Sequence, residues 1–149
     1  MNDAKTDLGQ RILAIKQQKG LSWADIAARL GYSTVWTCAA CLGQMSMTPE
    51  TAAKAGALLD LSDADIALLQ AIPYRGSLPT AVPTDPLIYR FYELVMVYGT
   101  TWKELIQEEF GDGIMSAIDF DMTLERQPDQ KGDRVRIGMT GKFLPYKRY

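Results

Sequence analysis

Three places in this 149-residue chain set chemistry-bearing side chains at short spacing. Arg90 and Glu93 stand three apart in YRFYE, Ser116 follows Gly-Asp-Gly at 111–113, and Cys38 and Cys41 form a C-x-x-C just behind Trp36. On a helix, Arg90 and Glu93 share one face, and the bland outcome is a surface ion pair worth ~0.2–0.5 kcal/mol. The basic member precedes the acidic one, the weaker order for the helix dipole. Tyr89, Phe91, Tyr92 and Leu94 crowd the pair and are expected to desolvate it. A partly buried guanidinium beside a fixed carboxylate is a receptor for small planar anions. On the residues alone both readings stand.

Ser116 divides the same way. It is either an ordinary turn or cap serine, or a hydroxyl beside backbone N–H groups in a glycine-permitted turn, where successive amides form an anion nest. The cysteine pair resembles a thioredoxin-type motif, but that chemistry needs a strand-to-helix setting within a βαβ unit, and helical patterns flank Cys38 on both sides. Zinc requires four ligands, and the chain offers two thiolates. Two buried cysteines between helices is the expected outcome.

What is missing narrows the chemistry further. The chain has no histidine, which excludes Ser-His-Asp and Cys-His nucleophiles, an imidazole base and histidine metal ligands. Acid and base work falls to carboxylates, Lys, Tyr or the substrate itself. Two cysteines are too few for a disulfide framework. No apolar run approaches the ~20 residues of a membrane span. The segment MNDAKTDLGQ has acidic residues and no apolar core, so no secretory signal is expected and the cytoplasm is the default address.

The elements that must position these groups fall on either side of a proline-rich boundary. Pro73, Pro79, Pro83 and Pro86, with Gly76, mark PYRGSLPTAVPTDP as an ordered, non-helical connector. Before it, residues 5–72 read as short helices. Leu8, Ile12 and Ile15 give one; Ser22 with Asp25 caps a second, whose face is Trp23, Ile26, Ala27 and Leu30 and whose end is Gly31. A third runs from Thr34 to Leu42, a fourth starts at Thr48-Pro49, and a fifth at Ser62 with Asp65. After the connector, Asp85-Pro86 starts a helix with Leu87, Phe91, Leu94, Val95 and Tyr98 on its buried side and Gly99 as its stop. A second helix follows between Thr100 and Gly111. The period then changes to two: Ile118, Phe120, Met122 and Leu124 alternate with polar residues, as do Val135, Ile137 and Met139. With DQKGD as the turn, they predict an antiparallel hairpin.

The first half has the cadence of a helix-turn-helix repressor. A recognition helix presents Arg, Lys, Asn or Gln to bases and phosphates, and residues 33–42 contain none of these. Residues 1–80 carry seven basic and seven acidic side chains, so no basic face is available for DNA. A DNA-binding regulator without catalytic activity is the alternative function, testable by salt-sensitive duplex binding. The second half has the opposite difficulty. Two helices and a hairpin bury too little apolar surface to stand alone, and an open hairpin edge invites another chain. Obligate association between copies is expected.

The segment YRFYELVMVYGTTWKELIQEEFGDGIMSAIDF closely resembles the active-site region of the cyanases. PTDP, the Leu-Gly-Gln at 42–44, the Ile72-Pro73 junction and the closing GKFLPYKRY fit as well, so the resemblance covers essentially the whole chain. It is most specific where YRFYE, VYGTT and FGDGI…SAI occur in order. It implies an α+β protein. An N-terminal helical domain (residues 1–80, with the connector from about 73) resembles a helix-turn-helix repressor domain without binding DNA. A small C-terminal α+β domain (81–149) with an antiparallel hairpin carries dimerisation and catalysis. It further implies a decamer built from five dimers, with active sites between subunits. Arg90, Glu93 and Ser116 match the family's catalytic residues, and Leu144 matches a residue lining its site. The implied activity is cyanate hydratase (cyanate lyase), the bicarbonate-dependent breakdown of cyanate to ammonia and carbon dioxide through carbamate. Bicarbonate is then a co-substrate, with no metal, organic cofactor, nucleic acid or membrane partner. Two departures are mild. Met115 stands where an aliphatic residue is usual, and Cys38 and Cys41 are not part of the family pattern.

Overall fold

The computed structural model describes residues 4–149 and has a mixed α+β architecture. Five helices come first: α1 (Ala4–Gln18), α2 (Trp23–Leu30), α3 (Thr34–Cys41), α4 (Pro49–Leu59) and α5 (Asp63–Gln70). A long helix, α6 (Pro86–Phe110), and two paired strands, β1 (Gly113–Gln127) and β2 (Arg134–Pro145), complete it. Internal contacts divide the chain into two units. One holds the described residues up to Gly76 with the hairpin tip Met122–Gly138; the other holds Ser77–Asp121 with Met139–Tyr149.

In the first unit, polar residues set the helix starts. Ser22 and Ser62 each accept the N–H of the residue three on, and Asp25 and Asp65 accept the cap's own N–H in return. These capping boxes satisfy amides that a short helix would otherwise leave unpaired. Ser33 caps α3 and Thr48 caps α4. Gly31 ends α2 at φ 82°, a conformation a side chain resists. The helices then bury one face each. Leu8, Ile12, Ile26, Leu30, Ala40, Cys41, Ala52, Ala55, Leu59 and Leu69 form one core, each large aliphatic contributing ~1.5–3 kcal/mol on leaving water. Close approach has its own requirement at Gly56, where a Cβ would lie 2.4 Å from Ile66 Cδ1, so α4 and α5 pack directly on each other.

No helix or strand forms between Gln70 and Pro86, as the prolines predict. The start of that connector is nonetheless held. The Ala71 carbonyl accepts from Lys5 Nζ and from Ser46 Oγ, Met47 N–H donates to Leu69 O at 2.9 Å, and Gly76 N–H donates to Gln44 Oε1 at 2.8 Å.

The second unit departs from the sequence reading in three ways. Gly99 does not stop a helix; α6 runs unbroken for 25 residues from the Asp85 cap to Gly111. A mid-helix glycine costs only ~1 kcal/mol, and nothing at Gly99 offers the chain another path. The first strand begins at Gly113, not near Ile118, and the second reaches Pro145. Finally, the side of α6 expected to be buried is open: Leu87, Phe91, Leu94, Val95 and Tyr98 are all at least 42% exposed, and no α6 residue is buried. The period was read correctly, but this chain folds nothing over the face it defines.

Candidate active site

Asp85 sets the first candidate pair in place. Its Oδ1 accepts the N–H groups of Leu87 and Ile88 at 2.9 and 3.0 Å, and Pro86, which has no N–H to leave unpaired, occupies the first turn. One turn on, Arg90 Nη1 lies 3.5 Å from Glu93 Oε2. Tyr89 and Tyr92 form a tilted ring pair 6.0 Å apart on the same helix. The expected desolvation is absent: the Arg90 and Glu93 side chains are 65% and 43% exposed. Neighbours along one helix splay outward, so crowding in sequence does not cover a side chain. Within one chain the pair is a solvated ion pair, with no second carboxylate paired to the guanidinium among the described residues.

Ser116 is not in the glycine turn. It sits inside β1 and is 4% exposed. Its Oγ accepts two main-chain N–H groups, from Ile118 and Asp119, each at 3.0 Å. A serine that gathers the amides two and three residues ahead bends the strand, because those amides no longer point across the ladder. The pairing agrees. A Cβ at Gly141 would meet Ser116 O at 2.3 Å, and one at Gly138 would meet Thr123 Oγ1 at 2.9 Å. Between these two points β1 runs seven residues and β2 only three, so β1 carries the excess as a bulge. Ile118, at its crest, is 98% exposed.

Leu144 lies at the same end of the hairpin. Its carbonyl is against Gly113, where a Cβ would come within 2.3 Å. Phe143 stacks on Phe110 with ring centroids 5.2 Å apart, and Tyr146 N–H donates to Asp112 O at 3.0 Å. Together these tie the hairpin base to the end of α6. Beside it lies a groove of about 360 Å³ lined by Trp102, Ile106, Ile114, Met115 and Tyr146. Met115 thus faces an apolar groove, while the next residue turns its hydroxyl inward.

The hairpin base therefore brings Ser116 and Leu144 to one end of the paired strands, and α6 brings Arg90 to Glu93. Among the described residues no hydrogen bond or ion pair joins the two sets. Sequence reasoning missed the glycines. Gly141 permits the close strand approach at Ser116 and Gly113 that at Leu144, and a glycine inside an alternating strand pattern is the signal that points to such a bulge.

Among the described residues no cluster of three or more His, Cys, Asp or Glu could hold a metal ion. Burial pushes the Cys38 thiol up, and burial with the neighbouring Cys38 pushes Cys41 up to about 12. Both shifts favour the protonated thiol over the nucleophilic thiolate. A cavity of about 640 Å³ in the first unit contains Lys54, which is paired with Glu50 at 2.8 Å. No helix among the described residues is long and apolar enough to cross a membrane.

Known proteins resemble this chain across nearly its whole length. A family model described as "Cyanate hydratase, N-terminal" matches residues 5–73, and one described as "Cyanate lyase C-terminal domain" matches residues 80–148. A cyanate hydratase of Methylibium petroleiphilum is 63% identical over 146 residues, covering 98% of this chain and 99% of its own. One of Ralstonia pickettii is 63% identical over 145 residues, covering 97% and 99%. The crystal structure of cyanase from T. urticae superposes with a TM-score of 0.80 at 37% identity, covering 93% of this chain and 96% of that one. Residues, fold and relatives agree, and the chain belongs to the cyanate hydratase (cyanate lyase) family.

Proposed function

We propose that this protein is a cyanate hydratase that decomposes cyanate with bicarbonate, working as a homo-oligomer, with residues 81–149 supplying the catalytic and assembling domain. One observation carries the reading: relatives named cyanate hydratase match it at 63% identity over nearly its full length.

The chemistry follows from the substrates. Cyanate and bicarbonate are both anions, and a bicarbonate oxygen must attack the cyanate carbon. Holding both in contact removes most of the entropic barrier, for which effective molarities reach ~10⁵–10⁸ M in well-oriented cases. The bicarbonate proton goes to the cyanate nitrogen as the new C–O bond forms. Loss of one carbon dioxide and uptake of a proton leave carbamate. That first loss breaks the bond between the bicarbonate carbon and the bridging oxygen; a second proton and cleavage of the one carbon–nitrogen bond then release ammonia and another carbon dioxide. Arg90, drawn from more than one subunit, neutralises the anions and binds an oxyanion in bidentate fashion. Glu93 orients Arg90. Ser116 stabilises charge as it shifts, and Leu144 lines the pocket. The reaction as written needs no metal or organic cofactor.

The open apolar side of α6 supports association. Its exposed Leu, Val, Phe and Tyr residues form a patch of the kind that soluble monomers rarely show. A pentamer of dimers, with sites at the contacts, is the assembly in which Arg90 and Ser116 of different copies meet. A DNA-binding role finds no support, because α3 buries Thr37, Ala40 and Cys41 and carries no Arg, Lys, Asn or Gln. The deciding assay is ammonia release from cyanate with and without added bicarbonate. Bicarbonate-dependent release is expected; release that ignores bicarbonate, or none, refutes the reading.

A further inference from the structure

Two motifs of the sequence have no part in the chemistry above: Leu-Gly-Gln at 42–44 and the Ile72-Pro73 junction. The fold brings them together in the helical unit. Gly43 turns the chain out of α3 at φ 87°, close against α1, where a Cβ would lie 3.2 Å from Lys5 Cβ. At the other motif, α5 ends on Ala71 in extended backbone (φ −63°, ψ 146°), and Pro73 favours the same for Ile72. Side chains then grip the departing chain. Lys5 Nζ and Ser46 Oγ donate to the Ala71 carbonyl, Pro73 is buried, and Gly76 N–H donates to Gln44 Oε1 at 2.8 Å. Beyond Gly76 the grip stops. From there to the Asp85 cap, the one hydrogen bond among the described residues is internal, from Thr80 Oγ1 to Val82 O. The first unit ends at the same point, between Gly76 and Ser77.

We propose that Gln44 is a latch: it holds residues 72–76 as a strap on the helical unit, and its release opens the strap while the five helices stay folded. One net hydrogen bond is weak beside the apolar burial that closes the helical core, so the strap opens on its own, well before the helices do. Opening frees residues 72–76 and lengthens the free connector by roughly 17 Å of extended chain. Gly76 completes the device. Its φ is 114°, and a Cβ there would meet nothing within 4 Å. The need for glycine is therefore conformational: a side chain resists this backbone and turns the N–H away from Gln44. The latch is independent of the cyanate chemistry and stands or falls apart from it.

The test uses the full-length protein and its Q44A, Q44E, G76A and Q44A/G76A variants. Of the amides from Tyr74 to Leu78, that of Gly76 alone has a partner among the described residues. Hydrogen exchange on peptides spanning 72–80 should therefore show one slow proton in the parent. Q44A should speed it by about fivefold, the effect of one net hydrogen bond, and G76A by at least as much. Q44E, whose carboxylate also accepts, should not. The double variant should open no faster than G76A, because both changes remove the same bond. Trypsin gives a second readout, since Arg75 is the only Lys or Arg between Lys54 and Arg90. Cleavage there, which leaves a fragment beginning at Gly76, should rise in Q44A by the same factor as exchange. Cleavage after Lys54, inside α4, should not change. An unprotected Gly76 amide in the parent, Q44A exchanging like the parent, or additive effects in the double variant overturns the proposal. Faster cleavage after both Arg75 and Lys54 in Q44A overturns it as well, marking Gln44 as a support of the whole helical unit. If Arg75 resists trypsin in every variant, exchange at Gly76 still decides.

Discussion

At the scale of single residues, the same side-chain types do different work according to how much water surrounds them. Arg90 and Glu93 are solvated in one chain, so their ion pair contributes little to stability and the guanidinium stays available to anions. Arg90→Ala should therefore cut bicarbonate-dependent ammonia release by ~10²–10³-fold and leave the sedimentation profile unchanged; collapse of the assembly would instead mark Arg90 as structural. Asp65 is the contrasting case. It is buried, takes a two-point contact from Arg11 at 2.5 and 3.0 Å and also accepts the Ser62 N–H. The Arg11 guanidinium, above all, lowers its carboxyl to about 2. A depressed carboxyl contributes stability above its unfolded pKa, near 4, and loses it as pH falls through the folded value. The helical unit should lose roughly 1–2 kcal/mol between pH 4 and 2. In Asp65→Asn that acid-dependent loss should disappear from the unfolding curves, with lower stability at pH 7.

Elements decide whether these residues face anything. The Asp85 cap holds the first turn of α6, one turn ahead of Arg90, through the Leu87 and Ile88 amides. Asp85→Ala should destabilise that end by ~1 kcal/mol and lower turnover through a frayed Arg90, whereas Asp85→Ser should restore both; full activity in the alanine variant would separate the cap from the site. Length matters as well. The sequence pattern divides this region at Gly99, but caps lie only at its two ends, so one helix forms and carries the apolar stripe along its whole course. At the hairpin base, a Gly113→Ala methyl would meet the Leu144 carbonyl and the Phe143 ring. Neither backbone nor ring yields easily there, so the loss of stability should exceed the few tenths of a kcal/mol typical of surface changes.

For the whole molecule, the two units stand in opposite states of completeness. The first has a closed core of Leu8, Ile12, Ile26, Leu59 and their neighbours. The second has no buried residue on a 25-residue helix and leaves Val95, Val97, Leu105 and Phe110 more than half exposed. The proposed association would cover that surface, at ~25 cal/mol per Å² of apolar area. Sedimentation should give a mass several-fold above 16.6 kDa. If the site is shared between copies, as proposed, Val95→Asp should dissociate the assembly and abolish turnover together. A dissociated variant with full activity would place the site within one chain.

By itself the sequence determined the five short helices of the first half. Ser22, Ser33, Thr48 and Ser62 cap the last four of them through bonds reaching only three residues along the chain, so the signal is local. It also determined the hairpin, through alternation at period two, and it named Arg90, Glu93, Ser116 and Leu144 through family resemblance. Tertiary structure decided the rest. Whether Tyr89 and Phe91 shield Arg90 depends on what packs over α6, which no spacing along α6 encodes. That Ser116 lies in a bulged strand, its hydroxyl accepting two main-chain N–H groups, depends on β2 returning with Gly141 against it, from a position 25 residues away in the chain. Caps and periods are written in neighbours; burial and hydrogen-bond direction arise only when distant segments meet.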